Sequence, residues 1–352
     1  MNLMHQNDLE YQFNQLKKEV VKLKNKKILI TGGLGFLGFN FLNFFHYLNF
    51  EKNYNLKVEV YDIVEKNKLP KWFGAYDNKI SYKKCNIVNQ KKFKNIDYII
   101  HAASIASPTY YRKYPIETMD ANVIGLRNLI EFYKNKPIKG MLFFSTSEVY
   151  GDPDKKNIPT KETYRGNVSC TGPRACYDES KRYGETICVN FYKKWKIPIK
   201  IVRPFNNYGP GLNIHDKRVI PDFSKNILTR QDIVLFSDGK PNRTFCYISD
   251  AIIGYIKTLI KGKPGEVYNI GNNNPEISIK ELANLMIKVA NKKYNYKGKL
   301  VIKKNKDKNY LVDNPNRRCP DLSKSRKELN FYPKINLLIG INKTLEWYNK
   351  NQ

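Results

Sequence analysis

The chain predicts an α/β fold, a doubly wound parallel sheet with a smaller C-terminal lobe. Three observations carry that prediction. Strand-length apolar runs alternate with helix-length segments without a break from Lys26 to Gly209. The run Ile28 to Ile30 is followed at once by Gly32, Gly33, Gly35 and Gly38. The next strand, Val58-Glu59-Val60-Tyr61-Asp62, alternates and ends on an acid.

In chain order, Leu9, Phe13, Leu16, Val20 and Leu23 recur at spacings of three and four. They form one apolar stripe on a helix from Asp8 to Lys24, with Asn7 or Asp8 as its N-cap. This helix packs on the domain or on a partner subunit. Lys26 to Phe41 then reads as a buried strand, a tight turn and the start of a helix from Phe36 to Leu48. Glycine removes side chains where the backbone turns sharply and approaches a pyrophosphate. The free N–H groups and the positive end of the helix hold that anion. This is a Rossmann-type fingerprint, with Gly32, Gly35, Phe36, Leu37 and Gly38 at the cofactor. Asp62 stands where a carboxylate accepts hydrogen bonds from ribose hydroxyls and repels a 2′-phosphate, which favours NAD over NADP.

Ile80 to Lys83 is a third strand, leading into Asn86 and Ile87; Asp97 to Ile100 is a fourth, followed by His101, Ala102 and Ala103. The small alanines leave room for a cofactor. Ile116 to Lys134 reads as one long helix, and Met141 to Phe144 as a strand that ends in Ser145-Thr146-Ser147-Glu148. The Pro- and Gly-rich loop from Asp152 to Arg174 is expected to be exposed. Glu179 to Trp195 is a helix and Ile199 to Val202 a strand. Beyond Gly209 the elements shorten: strands at Ile233–Phe236, Thr244–Ile248 and Val267–Ile270, and helices at Asp250–Ile260 and Ile279–Ala290. The expected organisation is an N-terminal amphipathic helix at 1–24 and an NAD-binding domain at 25–208. Residues 244–272 return to that domain's sheet, and 209–352 are mainly a substrate-binding lobe.

The 352 residues include 41% hydrophobic ones, enough for a large core. Mean hydropathy is −0.58, and no apolar run approaches the roughly 20 residues of a membrane span. The six cysteines form no Cys-x-x-Cys pair, and no secretory leader opens the chain, so a cytoplasmic protein with reduced thiols is expected. The net charge of +30 comes from lysines spread over many segments. That distribution argues against a nucleic-acid-binding stripe and suits attraction of an anionic nucleotide. His5, His46, His101 and His215 show no metal-ligand spacing.

The sharpest chemical signal is Tyr177-Asp178-Glu179-Ser180-Lys181. Tyr177 and Lys181, at i and i+4, share one helix face. An ammonium beside a phenol favours phenolate, so Tyr177 is expected to have a lowered pKa and to accept a proton from a sugar hydroxyl. Thr146, at the end of the preceding strand, hydrogen-bonds the same hydroxyl.

With these residues the chain resembles the extended short-chain dehydrogenase/reductases, from about Lys26 to Trp347. Within them it looks most like the UDP-glucuronate decarboxylases. Ala106-Ser107-Pro108 with Tyr114-Pro115-Ile116, Ser145 through Pro153, and Gly172 through Arg182 carry the narrower match. The resemblance implies NAD as cofactor, a nucleotide-sugar substrate, no metal, and a homodimer paired through the helices at Ile116–Lys134 and Glu179–Trp195. It also implies a product used in surface polysaccharide or lipopolysaccharide assembly. Tyr177 would be the base, Lys181 its electrostatic support, Thr146 the hydroxyl-orienting group, and Glu148 a proton-transfer or orienting group at the reacting carbon. Ser107, Ser147, Asn206, Arg218 and Arg243 would contact substrate. The implied reaction oxidises C4, loses CO₂ and re-reduces the ketone. A nucleotide-sugar 4,6-dehydratase is the alternative, although Ser147 stands where the glucose-type dehydratases place an aspartic acid. A 4-epimerase, a C4 dehydrogenase and a non-catalytic nucleotide-binding protein complete the alternatives. Arg112 fits no part of the decarboxylase pattern.

Overall fold

The structure, a computed structural model, describes residues 4–303 and 312–351. Its centre is a seven-stranded parallel sheet. Six strands are β1 (Lys27–Thr31), β2 (Lys57–Asp62), β3 (Ile80–Lys84), β4 (Tyr98–His101), β5 (Gly140–Phe144) and β6 (Ile199–Pro204). The seventh is the edge strand Val267–Ile270, and the spatial order is Val267–Ile270, β6, β5, β4, β1, β2, β3. Strand order reverses between β4 and β1, which places a crevice at the carboxyl edge there.

Alternation along each strand builds two cores. Ile28, Ile30, Leu142 and Phe144 face one apolar layer, and Leu29, Met141 and Phe143 face the other. The first layer holds α1 (Gln6–Val20), α2 (Phe36–Lys52) and the helix Ile248–Lys261; the second holds Leu126–Tyr133 and Ala175–Trp195. α2 is apolar around almost its whole circumference because α1, the helix Ile248–Lys261 and the sheet enclose it. Phe39, Phe41, Phe44 and Phe45 are all buried there, each contributing about 2 kcal/mol on burial. An exposed pair such as Lys84–Glu65 contributes under about 1 kcal/mol, so the aromatic core decides where α2 sits.

Several expectations change in detail. The helix expected at Ile116–Lys134 is helical from Pro115 to Tyr133 with a wider turn inside it, and a separate short helix precedes it. Pro108–Lys113 and Pro115–Asp120 are separate turns of helix, a wide π turn spans Ala121–Gly125, and Leu126–Tyr133 follows. Proline at 108 and at 115 starts each short piece. Residues 244–248 are not one strand: Cys246–Tyr247 pairs with Asn207–Tyr208, and Ile248 already belongs to the following helix. The loop 152–174 is only partly exposed. Pro153, Ile158 and Thr160 are buried, and Thr160 N–H donates to the Cys319 carbonyl at 2.9 Å. Short strands tie the C-terminal part together: Asn242–Arg243 pairs with Ile277–Ser278 and with Arg317–Arg318.

α1 starts at Gln6 with His5 before it, and neither Asn7 nor Asp8 caps it. Asp8 turns inward instead. It is 1% exposed, accepts from the Tyr247 hydroxyl at 2.7 Å, and pairs with Lys343. Tyr11 donates to Asp250 at 2.6 Å, and the other Asp250 oxygen accepts from the backbone of Lys334 and Ile335. The first helix is thereby laced to the last third of the chain. Asp8→Ala should lower the urea midpoint by the equivalent of about 2 kcal/mol without changing the m-value, because it strands the Tyr247 hydroxyl and the Lys343 ammonium; an unchanged midpoint would show that the lacing contributes nothing.

Candidate active site

A cleft of about 1250 Å³ opens at the carboxyl edge, lined by the ends of β1, β2, β4, β5 and β6. Single small-molecule pockets run to about 1,000 Å³, so there is room for a dinucleotide and a second ligand. On the β1 side, Gly32 holds φ +70°, and a Cβ there would stand 2.7 Å from the Ala103 backbone. Only glycine keeps that floor open. Gly35, Phe36 and Leu37 line the cleft at the start of α2. Gly38 does not line it; a Cβ there would meet the Gly33 carbonyl at 2.3 Å, so its role is close helix–turn packing. Asp62 accepts from Leu34 N–H at 3.0 Å and faces the same cavity, with Asn86, Ile87, Ala102 and Ala103 around it. Burial raises its carboxyl above the usual range, against the pull of the Leu34, Ile63 and Val64 N–H groups. An open glycine floor, a helix N-terminus and an acid at the end of β2 fit a dinucleotide.

Across the cleft, β5 runs out at Phe144 into Ser145 and Thr146. Thr146 is extended and caps the 3₁₀ turn Ser147–Tyr150, accepting from Glu148 N–H at 3.2 Å. Tyr177 and Lys181 enter from the helix Ala175–Trp195, both buried and both on the cleft wall. Lys181 donates to the Phe144 carbonyl at 2.8 Å and lies 5.8 Å from the centre of the Tyr177 ring. The expected lowering of the phenol pKa by this ammonium is not what the geometry gives. Burial pushes Tyr177 up to about 12, and the groups that ease it are the Thr146 hydroxyl and the guanidiniums of Arg218 and Arg174. Burial also pushes Lys181 down to about 7. Desolvation outranks attraction at both ends of the pair.

Residues that sequence reasoning missed complete this wall. Tyr111 stacks on Tyr177 with ring centroids 4.8 Å apart and planes 6° from parallel. Its hydroxyl is buried without a partner among the described residues. Glu148 is clamped between Arg174 and Arg318. Arg174 lay within the quoted stretch Gly172 to Arg182 and could have been singled out there; Arg318 is brought in by the short Arg317–Arg318 strand, which no local pattern announces. Ser107 donates to the Asp216 carbonyl at 2.7 Å, and Arg218 forks onto the Asp216 carboxylate; Ser107, Asp216 and Arg218 line the cleft with Ser147 and Asn206. Arg243 does not line it. Its guanidinium donates to the carbonyls of Asn242 at 2.8 Å and Pro315 at 2.6 Å, so it fixes the chain that carries Arg318. Arg112 borders a small neighbouring hollow beside Pro115, Pro173 and Cys176.

The model of the NAD-dependent epimerase/dehydratase family matches residues 28–271. The chain belongs to this family, the extended short-chain dehydrogenase/reductases, and its cofactor is NAD. The epimerase/dehydratase chain is 35% identical over 317 residues to the protein named UDP-glucuronic acid decarboxylase 6 of Arabidopsis thaliana, covering 90% of this chain and 87% of that one. UDP-glucuronic acid decarboxylase 1 of Xenopus tropicalis is 32% identical over 349 residues, covering 97% and 77%. Among solved structures, a dTDP-glucose 4,6-dehydratase of Bacillus anthracis in complex with NAD has 27% identity and a TM-score of 0.75, covering 93% and 97%. A UDP-glucose 4-epimerase of Thermotoga maritima with UDP-glucose has 23% identity and a TM-score of 0.78, covering 92% and 99%, a likeness of fold. Among the described residues no helix is long and apolar enough to cross a membrane.

Two measurements probe this wall and floor. Asp62→Ala should weaken NAD binding about tenfold in a fluorescence titration and narrow the preference over NADP, because the ribose loses its acceptor and a phosphate loses its repulsion; unchanged preference would remove Asp62 from the site. His101, fully buried against Thr31 at 2.7 Å, is pushed down to about 3 by burial and by Lys181. A base with a depressed folded pKa contributes stability above its unfolded value, near 6.5, and loses it as pH falls toward 3. The stability advantage of wild type over His101→Gln should therefore shrink by about 2 kcal/mol between pH 6.5 and about pH 5; a constant gap would mean the imidazole is not held neutral.

Proposed function

We propose that the protein converts UDP-glucuronate to a UDP-pentose by C4 oxidation, decarboxylation and re-reduction. The observation that carries this reading is the placement of the Arg174 guanidinium on the cleft wall, beside Glu148, Thr146 and Tyr177. Arg174 lines the cleft between Glu148 and Asp178 and is the guanidinium that a sugar carboxylate would meet there. The names of the relatives at 35% and 32% identity support the same choice.

The cofactor, held by Gly32, Gly35, Asp62 and their neighbours, supplies a two-electron acceptor that is used and restored. The chain's own groups do the rest. Tyr177 takes the C4 hydroxyl proton, with Thr146 orienting that hydroxyl and with Arg174 and Arg218 easing the phenolate. Lys181, anchored on the Phe144 carbonyl, keeps the cleft floor cationic when protonated. The ketone formed at C4 lies β to the carboxyl group, so the C5–carboxyl bond breaks with its electron pair drawn toward the ketone oxygen, CO₂ leaves, and the enolate takes a solvent proton at C5 to restore the ketone. Tyr177 returns the proton at the end. Asn206, Ser107, Ser147 and the Asp216–Arg218 pair border the remaining cavity and would bind the nucleotide diphosphate part.

A 4,6-dehydratase is the second reading, favoured by the likeness to the dTDP-glucose enzyme. Ser147 cannot serve as the acid on the leaving hydroxyl near neutral pH, which argues against the glucose-type dehydratases but not against the GDP-mannose type, whose Thr-Ser-Glu resembles residues 146–148. We further propose a cytoplasmic homodimer acting in polysaccharide assembly. Ile116, Ile124 and Tyr183, exposed on the helical segments after β4 and before β6, support the pairing.

The test is to incubate the NAD-loaded enzyme with UDP-, GDP-, CDP- and dTDP-sugars and weigh the products. Loss of CO₂ from UDP-glucuronate is expected; loss of water or an unchanged mass would overturn the reading in favour of dehydration or epimerisation. Tyr177→Phe should lower turnover at least about a hundredfold with NAD affinity retained.

A further inference from the structure

Beneath the turn that carries Thr146 and Glu148 lies a buried ion pair. Arg203 donates from Nε to Glu185 Oε1 at 2.8 Å and from Nη2 to Oε2 at 2.6 Å, a bidentate fork. Both side chains are about nine-tenths buried. Glu185 also accepts from the Ser145 hydroxyl, at the start of the turn. Arg203 Nη1 donates to the Tyr150 hydroxyl at 2.8 Å, at the turn's far end, and its guanidinium lies 4.7 Å from the Tyr150 ring centre. The Tyr150 hydroxyl donates onward to Asn269 Oδ1 at 2.7 Å, on the edge strand. One ion pair therefore holds the turn at both ends.

Its placement follows from the fold. β5 and β6 are parallel neighbours with Phe144 opposite Val202, so Ser145, one residue past the end of β5, lies beside Arg203, which β6 still carries opposite Asn269. Glu185 lies two helical turns beyond Tyr177, on the face that Tyr177 and Lys181 share. The pair thus joins the helix bearing the phenol to the strand ends bearing Thr146. Stability alone gives little reason for it, since a buried ion pair rarely outperforms an apolar pair of the same size.

We propose that Glu185 and Arg203 are positioning residues that set where Thr146 and Glu148 stand relative to Tyr177, acting through Ser145 at one end of the turn and Tyr150 at the other. This rests on the reading of Thr146, Glu148 and Tyr177 as the working groups. Misplacement by about an ångström costs up to a hundredfold in rate, so a loosened turn acts on kcat.

The experiment cuts each tether while leaving the ion pair whole. Ser145→Ala, Tyr150→Phe and the double variant are compared with wild type, all NAD-loaded. Each single change should lower kcat about tenfold, with KM for the nucleotide sugar within about twofold and the melting temperature within a few degrees. The double variant should lose less than the product of the two, because both act on one turn. Ser145→Thr, which keeps the hydroxyl, should restore kcat. Amide exchange over residues 146–149 should quicken in both single variants. Wild-type kcat in both, or slow exchange retained in both, would overturn the proposal. If wild type turns over no nucleotide sugar, the functional reading fails, and the exchange measurement still decides the tether.

Discussion

Burial of the sheet on both faces is the constraint on which the cleft depends. Parallel pairing sets Thr31 opposite Tyr61 and His101, His101 opposite Phe143, and Phe144 opposite Val202. The strand ends that supply the site are therefore level with one another. A one-residue slip in β5 would turn Leu142 and Phe144 to the wrong core, and the two apolar layers forbid it. Thr146 stands where it does because Phe143 and Phe144 cannot exchange sides.

The same burial governs the electrostatics. Lys181 is buried and donates to the Phe144 carbonyl. Enclosure lowers its proton affinity and raises that of Tyr177, so both groups are drawn toward their neutral forms rather than being held as a fixed ion pair. The cations that ease the phenol come from outside the Tyr-x-x-x-Lys motif: Arg218 from beyond β6 and Arg174 from the loop before the helix. An i, i+4 spacing establishes that two side chains share a helix face. It does not establish which of them keeps its charge once water is removed.

Legibility followed sequence distance. The glycine turn, Asp62, Thr146, Tyr177 and Lys181 were readable because each rests on a local rule: a turn that needs no Cβ, a strand end, a helical repeat. The seven strands were readable to within a residue or two where an alternating or apolar run was long enough. The π turn at Ala121–Gly125 was not, since the segments on either side share one helical pattern; Gly125 there lies so close to Ile87 that a Cβ would meet its side chain at 2.5 Å. Asp8 looked like a cap and is a buried acceptor, because its partners Tyr247 and Lys343 are far along the chain. Tyr111, Arg318 and the Glu185–Arg203 pair were invisible for the same reason. Each needs two or three segments brought together before its role exists.

Arg243 shows how such distant pairings shape the chemistry. From the sequence it was a lone arginine with a plausible ligand; in the fold its guanidinium is consumed by the carbonyls of residues 242 and 315. That contact pins the strand Arg317–Arg318 beside Asn242–Arg243, and pinning that strand delivers Arg318 to Glu148. The net charge of +30 therefore says little about the cleft, because most of it is lysine spread along the chain. On the cleft wall the Arg174 guanidinium stands between Glu148 and Asp178, placed where solvent screening is weak. On the proposed reading, a sugar carboxylate that reaches Arg174 finds a charge-assisted hydrogen-bond partner there, which a neutral hexose cannot use.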